Sequence, residues 1–501
     1  MPPASRTNAP AWILGAIVAL AAGLRIYALD QSLYGDELWA HVGATSPSFG
    51  EMLDFVRSDQ EITPPLYTSF AYAAAKLGDA NLLIRLPSLL AGIATIPLVY
   101  VIGIRTVGRR VALLAALIAA ISPFLAFYSV EARAYSLSIF LVASSTLLML
   151  LALERRSAGW WVGYAAFSCA AMYTHYTSSF ALAAQLIWLL WLFPDARKPA
   201  LLANLGAAIA FLPWIPGFRE DLDSPSREFF EQLAPFDLDG VTEFTARWAL
   251  GHPAPAFGDF WSTAAAVALS AGLVIALAGL AYRLRGRGDD ESLEPIRPEA
   301  GSLLGQRGAA LVCALAVAGP VGCFLASVLS ENQFFPRNLA ASSVGWSIAL
   351  AALLLAGPRA GRLVASFLVV GTLAFGAVMT TQSRWQRPDI EAAAAVIDAE
   401  WREGDVVLDA LAPGSTGSPI AETLDVALAE PRETIDLNSA GDVATATEAA
   451  AGAKLFVVGP PFVVDGVRES AELAGREPII ERSFPGLLET RVLVYGPSGT
   501  E

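Results

Sequence analysis

Charge is scarce in this sequence wherever apolar residues run long. Only 16% of the 501 residues are Asp, Glu, Lys or Arg, against 55% hydrophobic, and the mean hydropathy is +0.51. That balance excludes an ordinary water-soluble globule for most of the chain and points to a membrane as its solvent. The acidic tail has no basic stretch, which denies a nucleic acid the electrostatic footprint it needs, so no nucleic-acid partner is expected. The three cysteines, Cys169, Cys313 and Cys323, all lie in apolar segments without the paired spacing of a zinc site or redox motif, so disulfides are expected to be unimportant. No Gly-rich fingerprint stands where it would hold a nucleotide sugar, and no repeat of fixed period is found.

What is present is a series of eleven apolar runs, near 10–29, 87–104, 111–129, 136–153, 160–176, 178–194, 200–217, 262–282, 308–329, 339–356 and 361–380. A hydrocarbon core of ~30 Å takes ~20 such residues. The first run contains Ala19-Leu20-Ala21, a peptidase-like triplet, but continues past it, and an uncleaved first helix is expected. The stretch Pro64 to Leu77 is short and opens with a double proline. Laid along the membrane surface, it leaves Arg105, Arg109 and Arg110, Arg155 and Arg156, Arg197 and Lys198, Arg283, Arg285 and Arg287, and Arg359 and Arg362 in alternate loops on one side. That is a positive-inside pattern, and it makes 64–77 a juxtamembrane helix. The loops 30–86, 130–135, 218–261 and 330–338 then face outward, and 284–307 reads as a flexible cytoplasmic linker.

From Gln382 onward the composition changes. This segment holds 9 Lys/Arg against 21 Asp/Glu, so −12 of the net charge of −14 lies here. Gly404 to Leu408 and Lys454 to Gly459 read as short buried strands between Ala-rich helical patterns. The expected fold is a polytopic α-helical membrane protein: about eleven transmembrane helices in 1–381, juxtamembrane helices in the first outer loop, and a soluble extracytoplasmic α/β domain in 382–501.

Four polar stretches fall at the outer ends of the apolar runs. Asp36 and Glu37 stand beside Tyr34 and Trp39 just after the first run. A carboxylate there could take the proton of an acceptor hydroxyl, or could bind a divalent cation that neutralises a leaving phosphate; a solvated acid among interfacial aromatics is the plainer alternative. Glu131 and Arg133 follow the third run. The planar fork of Arg133 suits a phosphate, although a Glu131–Arg133 ion pair would explain both. His175 ends the fifth run and could ligand a metal or hydrogen-bond a phosphate, or be a structural donor; His41 and His252 are weaker candidates. Arg337, at the start of the tenth run, is a second phosphate clamp or a snorkelling side chain.

At these residues the sequence resembles the GT-C glycosyltransferases, particularly the dolichyl-phosphate-mannose-protein mannosyltransferase-like group that includes the lipid A aminoarabinose transferases. The resemblance rests on Asp36-Glu37, on Thr63-Pro64-Pro65-Leu66-Tyr67, on Arg85 to Gly92, and on Tyr128 to Tyr135. It implies a polyprenyl-phosphate-linked sugar donor, with Asp36 as the catalytic carboxylate and Glu37 supporting it. Arg133, Arg337 and Tyr67 are then expected at the donor phosphate, with Glu131 and His175 supporting or holding a metal. The expected reaction is an inverting displacement by a hydroxyl of a lipid, glycan or protein acceptor in the cell envelope. A flippase would place ionisable residues near the bilayer midplane, whereas these runs are almost bare of charge; a non-catalytic envelope scaffold would leave Asp36 merely solvated.

Overall fold

Long apolar runs become helices because a helix satisfies every backbone N–H and C=O within its own segment, the condition that hydrocarbon imposes. The computed structural model describes residues 9–58, 61–224, 234–251, 260–285, 305–415 and 418–497. Of the sequence expectations, His252 and most of the 284–307 linker lie outside these residues, as does part of the 218–261 loop. The chain divides into two compact units. One comprises 1–29, 46–78 and 83–378, and the other 30–45, 79–82 and 379–501.

Among its described residues the first unit is all helical. Six helices among the described residues are long and apolar enough to cross a membrane, and seven if the bent pair Arg109–Ile121 and Pro123–Ser129 is one span. This corrects the count of eleven by that measure. The other four runs also form helices, but Ala158–Met172 and Ser178–Leu192 have only 15 residues each. The apolar part of the first helix ends at Tyr27, and the tenth run starts as a 3₁₀ turn, Pro336–Ser342, before the α-helix Ser343–Leu354. The third run, read as one span, bends by 57°. Pro123 supplies no N–H, and the Ser122 hydroxyl caps the new helix by accepting from Leu125 N at 3.3 Å. The ambiguous stretch folds as the helix Leu66–Ala75, ten residues long.

Helix contacts in this unit rely on small residues and polar pairs, as expected where hydrophobicity gives no drive for association. Gly103 lies against Ala112, where an added Cβ would come within 2.8 Å of the Ala112 methyl, and Gly345 lies against the backbone of Leu315 and Ala316. Gln185 donates to Thr146 Oγ1 at 2.9 Å and to Ser145 Oγ at 3.1 Å, while Ser138 and Ser178 hydroxyls meet at 2.8 Å. Trp191, Leu205, Val274, Val328 and Phe367 stand exposed, a surface suited to lipid. The chain is a multi-pass membrane protein.

The second unit is built on a five-stranded sheet of order β2-β1-β3-β5-β4, with β1 Val406–Asp409, β2 Thr434–Asp436, β3 Leu455–Gly459, β4 Ile480–Phe484 and β5 Thr490–Tyr495. β2, β1 and β3 are parallel, and β5 runs antiparallel to both of its neighbours, β3 and β4. The two strands legible in the sequence, β1 and β3, are buried on both faces, and their side chains feed two apolar clusters. The helix Ala440–Ala449 carries a capping box of Ser439 and Asp442. Asp409 and Asp436 are direct partners across β1 and β2. Burial pushes the Asp409 carboxyl up to about 7, with Asp436 and Asp425 adding to the effect against a bond from Leu411 N.

Candidate active site

The bend at Pro123 delivers a tight turn, Ser129 to Ala134, at the start of the helix Tyr135–Arg155. From it Arg133 reaches Glu61 in a forked pair, Nη1 to Oε2 at 2.6 Å and Nη2 to Oε1 at 3.2 Å. Both side chains are buried. Glu61 Oε1 also accepts from Thr63 N at 3.0 Å and Thr63 Oγ1 at 2.6 Å, so the carboxylate is fixed before it fixes the guanidinium. The Arg133 carbonyl accepts from Ser88 Oγ at 3.0 Å. Ser88 Oγ lies 3.2 Å from the Tyr67 hydroxyl, which donates to Ile84 O at 2.8 Å. Glu131 is half-buried two residues away, and its carbonyl accepts from Arg133 N at 2.8 Å. The carboxylate that the forked bonds give Arg133 is thus Glu61, which the sequence reading did not name.

His175 sits between the helices Ala158–Met172 and Ser178–Leu192, its ring 5.4 Å from that of Tyr135 and its Nδ1 2.8 Å from Thr177 Oγ1. Burial pushes its pKa down to about 3, helped by the charges of Arg133 and then Arg337. The imidazole is therefore neutral at physiological pH. The same electrostatics show that Arg133 and Arg337 share its neighbourhood. Arg337 is half-buried on the 3₁₀ turn Pro336–Ser342, its guanidinium 5.4 Å over the Phe335 ring.

Beside this centre Trp214 Nε1 donates to the Tyr176 hydroxyl at 2.9 Å, and Tyr176 donates to Asp221. Burial raises the Tyr176 pKa, with the charges of Asp221 and Glu61 adding to it. At the first helix, buried Arg25 donates to Ser129 Oγ and Ala120 O, each at 3.0 Å. Glu61, Asp221 and Arg25 were not singled out in the sequence, although Arg25 is a charge inside the first apolar run. A group of at least three His, Cys, Asp or Glu side chains arranged to hold a metal ion is not found among the described residues.

Asp36 and Glu37 fall in the second unit. Gly35, at φ 60°, turns the chain into the helix Glu37–Thr45. Asp36 is half-buried, while Glu37 is wholly buried and paired with Arg387 at 3.1 Å. Tyr67, Glu131, Arg133, His175 and Arg337 all belong to the first unit.

A bundle of apolar spans whose polar side chains gather at helix ends, together with a small α/β sheet, defines a polytopic membrane protein of GT-C-like fold. Its fold is similar to that of the oligosaccharyltransferase of Archaeoglobus fulgidus tethered to an acceptor peptide, with a TM-score of 0.50 and 13% identity over 95% of this chain and 73% of that one. The apo form of the same enzyme gives 0.50 and 13% over 91% and 70%. ArnT from Cupriavidus metallidurans bound to undecaprenyl phosphate gives 0.45 and 13% over 99% and 100%. Residues 63–216 match the family described as dolichyl-phosphate-mannose-protein mannosyltransferase, so the resemblance to that GT-C group holds. The matched segment includes Tyr67, Glu131, Arg133 and His175. No curated protein matches the chain.

Proposed function

We propose that the protein is a membrane glycosyltransferase that moves a sugar from a polyprenyl-phosphate-linked donor to an acceptor hydroxyl on the extracytoplasmic face, inverting the anomeric centre. The observation that carries this reading is the buried, forked Arg133–Glu61 pair with Arg337 in its neighbourhood, lying in and beside the family-matched segment. A guanidinium has five N–H donors in a plane that suits phosphate oxygens. Glu61 takes two of them and holds that plane. Arg133 and Arg337 then receive the donor phosphate, with Tyr67 packed behind Arg133 through Ser88, and stabilise it as the bond from the anomeric carbon to the phosphate oxygen breaks. Asp36 accepts the proton of the attacking hydroxyl, and polyprenyl phosphate leaves. Neutral His175 offers a hydrogen bond rather than a charge.

In this reading residues 1–381 form the catalytic domain, the helix Leu66–Ala75 lies along the bilayer surface, and 382–501 form an extracytoplasmic domain. The test is transfer of radiolabelled sugar from polyprenyl-phosphate donors in membranes containing the protein. Wild type transfers label, Asp36→Asn at matched expression loses it by at least about 100-fold, and Arg133→Ala raises the donor KM. Equal transfer by wild type and Asp36→Asn would sink the assignment of the base.

A further inference from the structure

Within the second unit, the segment that carries Asp36 is fastened to one short stretch, Arg387 to Glu391. Arg387 Nε lies 3.1 Å from Glu37 Oε2, with the side chains 5% and 0% exposed. The Arg387 N–H donates to Gln31 Oε1 at 3.0 Å, and the Glu391 N–H, in the first turn of the helix Ile390–Glu400, donates to Ser32 Oγ at 3.0 Å. Three ties therefore bracket Asp36, two before it in the chain and one directly after. Between them the turn is set by backbone bonds, Glu37 N to Tyr34 O at 3.4 Å and Leu38 N to Gly35 O at 3.1 Å. Farther along, His41 is hydrogen-bonded to Asn81, whose Nδ2 donates to Val426 O at 3.5 Å.

A carboxylate on such a loop is only as well aimed as its backbone is fixed. A buried ion pair on the adjacent residue is a stiff way to fix it, because removing one partner leaves a buried charge that forces the loop to move. We propose that Arg387 is a positioning residue that sets the attitude of Asp36 through its buried pair with Glu37, which gives the C-terminal unit a direct part in catalysis. The inference rests on the reading of Asp36 as the base. It accounts for the wholly buried Glu37 as a handle for Asp36 and not as a second reacting acid.

The experiment uses the full-length protein in lipid nanodiscs, with the labelled polyprenyl-phosphate sugar that wild type turns over as the probe. kcat, donor KM and thermal unfolding are measured for Arg387→Ala, Arg387→Lys, Glu37→Gln, the double variant Arg387→Ala/Glu37→Gln, and Arg491→Ala, which breaks a more exposed ion pair with Asp465 in the same unit. A misplacement of about 1 Å costs about 100-fold, so Arg387→Ala should lose about that factor in kcat with the donor KM unchanged. Arg387→Lys should recover part of the loss, the double variant should be no worse than the worse single, and Arg491→Ala should match wild type. A wild-type kcat in Arg387→Ala, or losses that multiply in the double variant, overturns the proposal. If Arg387→Ala fails to fold, Arg387→Lys decides: a folded protein with kcat down about tenfold supports it and a wild-type kcat overturns it. Full activity in Asp36→Asn removes the base itself, whereas an inactive Asp36→Asn beside a fully active Arg387→Ala removes only the positioning role.

Discussion

A histidine beside two guanidinium groups is a poor proton carrier, and His175 shows what that means for pH. With its pKa down to about 3, against about 6.5 in an unfolded chain, the unfolded state binds the proton first. The contribution of His175 to stability is therefore complete above about pH 6.5 and is lost as pH falls toward 3. The pH–rate profile should show no His175 inflection between pH 5 and 8, so His175→Gln should change its height and not its shape; a vanished limb in the variant would contradict this. Asp409 behaves in the opposite sense. Its carboxyl, up at about 7 against about 3.9 unfolded, contributes stability that is full below about pH 4 and lost as pH rises through 7. Corrected for the intrinsic base-catalysed rate, the hydrogen-exchange protection of Val406 to Leu411 in the full-length protein should be greater at pH 5 than at pH 8, and Asp409→Asn should erase that difference. Some of these residues were legible because they stand out: Tyr67, Arg133, His175 and Arg337 interrupt or border apolar runs. Glu61 was not, because an acid in a polar loop has no contrast with its neighbours and its partner lies 72 residues away. Arg387 was hidden in the same way, 350 positions beyond Glu37 in the chain.

Among elements, hydropathy located helices better than it measured them. Every apolar run became helix, but hydropathy has no term for the capping serine and proline that bend 111–129, or for the turns that stop Ala158–Met172 and Ser178–Leu192 at 15 residues each. In the sheet, β1 and β3 were legible as continuous apolar runs, whereas β2 and β4 carry Thr, Asp, Glu or Arg at half-buried or exposed positions and read as polar chain; β5, with Val492 to Tyr495 buried, holds a comparable apolar run that the sequence reading did not name. Close helix contacts yield a prediction at this scale. A Cβ on Gly92 would overlap the Ser129 side chain and come within 3.0 Å of Ser136 Oγ. Those two hydroxyls meet Arg25 and the Ser88 carbonyl, so Gly92→Ala should cost about 1–3 kcal/mol by overpacking and weaken donor binding along with stability. Unchanged thermal unfolding and donor KM in the variant would refute it.

For the molecule as a whole, composition separated a nearly neutral membrane part from an acidic C-terminal part. What composition missed is that the second unit is not contiguous: the chain enters it at 30–45, again at 79–82, and finally from Met379. That has a consequence for synthesis. Gln31 and Ser32 meet partners 356 and 359 residues farther along, and at about 5–20 residues per second those partners emerge roughly 20 to 70 s later. For that interval the segment bearing Asp36 is made but lacks the partners of Gln31, Ser32 and Glu37. Pulse-labelled chains should therefore remain cleavable by protease within 30–45 until translation passes Glu391, long after the first helices are inserted; early protection there would be inconsistent with this order. If Arg133 and Asp36 act as proposed, a nascent chain has its phosphate-binding arginine at hand well before its base is held, and so becomes able to hold the donor lipid before it can use it.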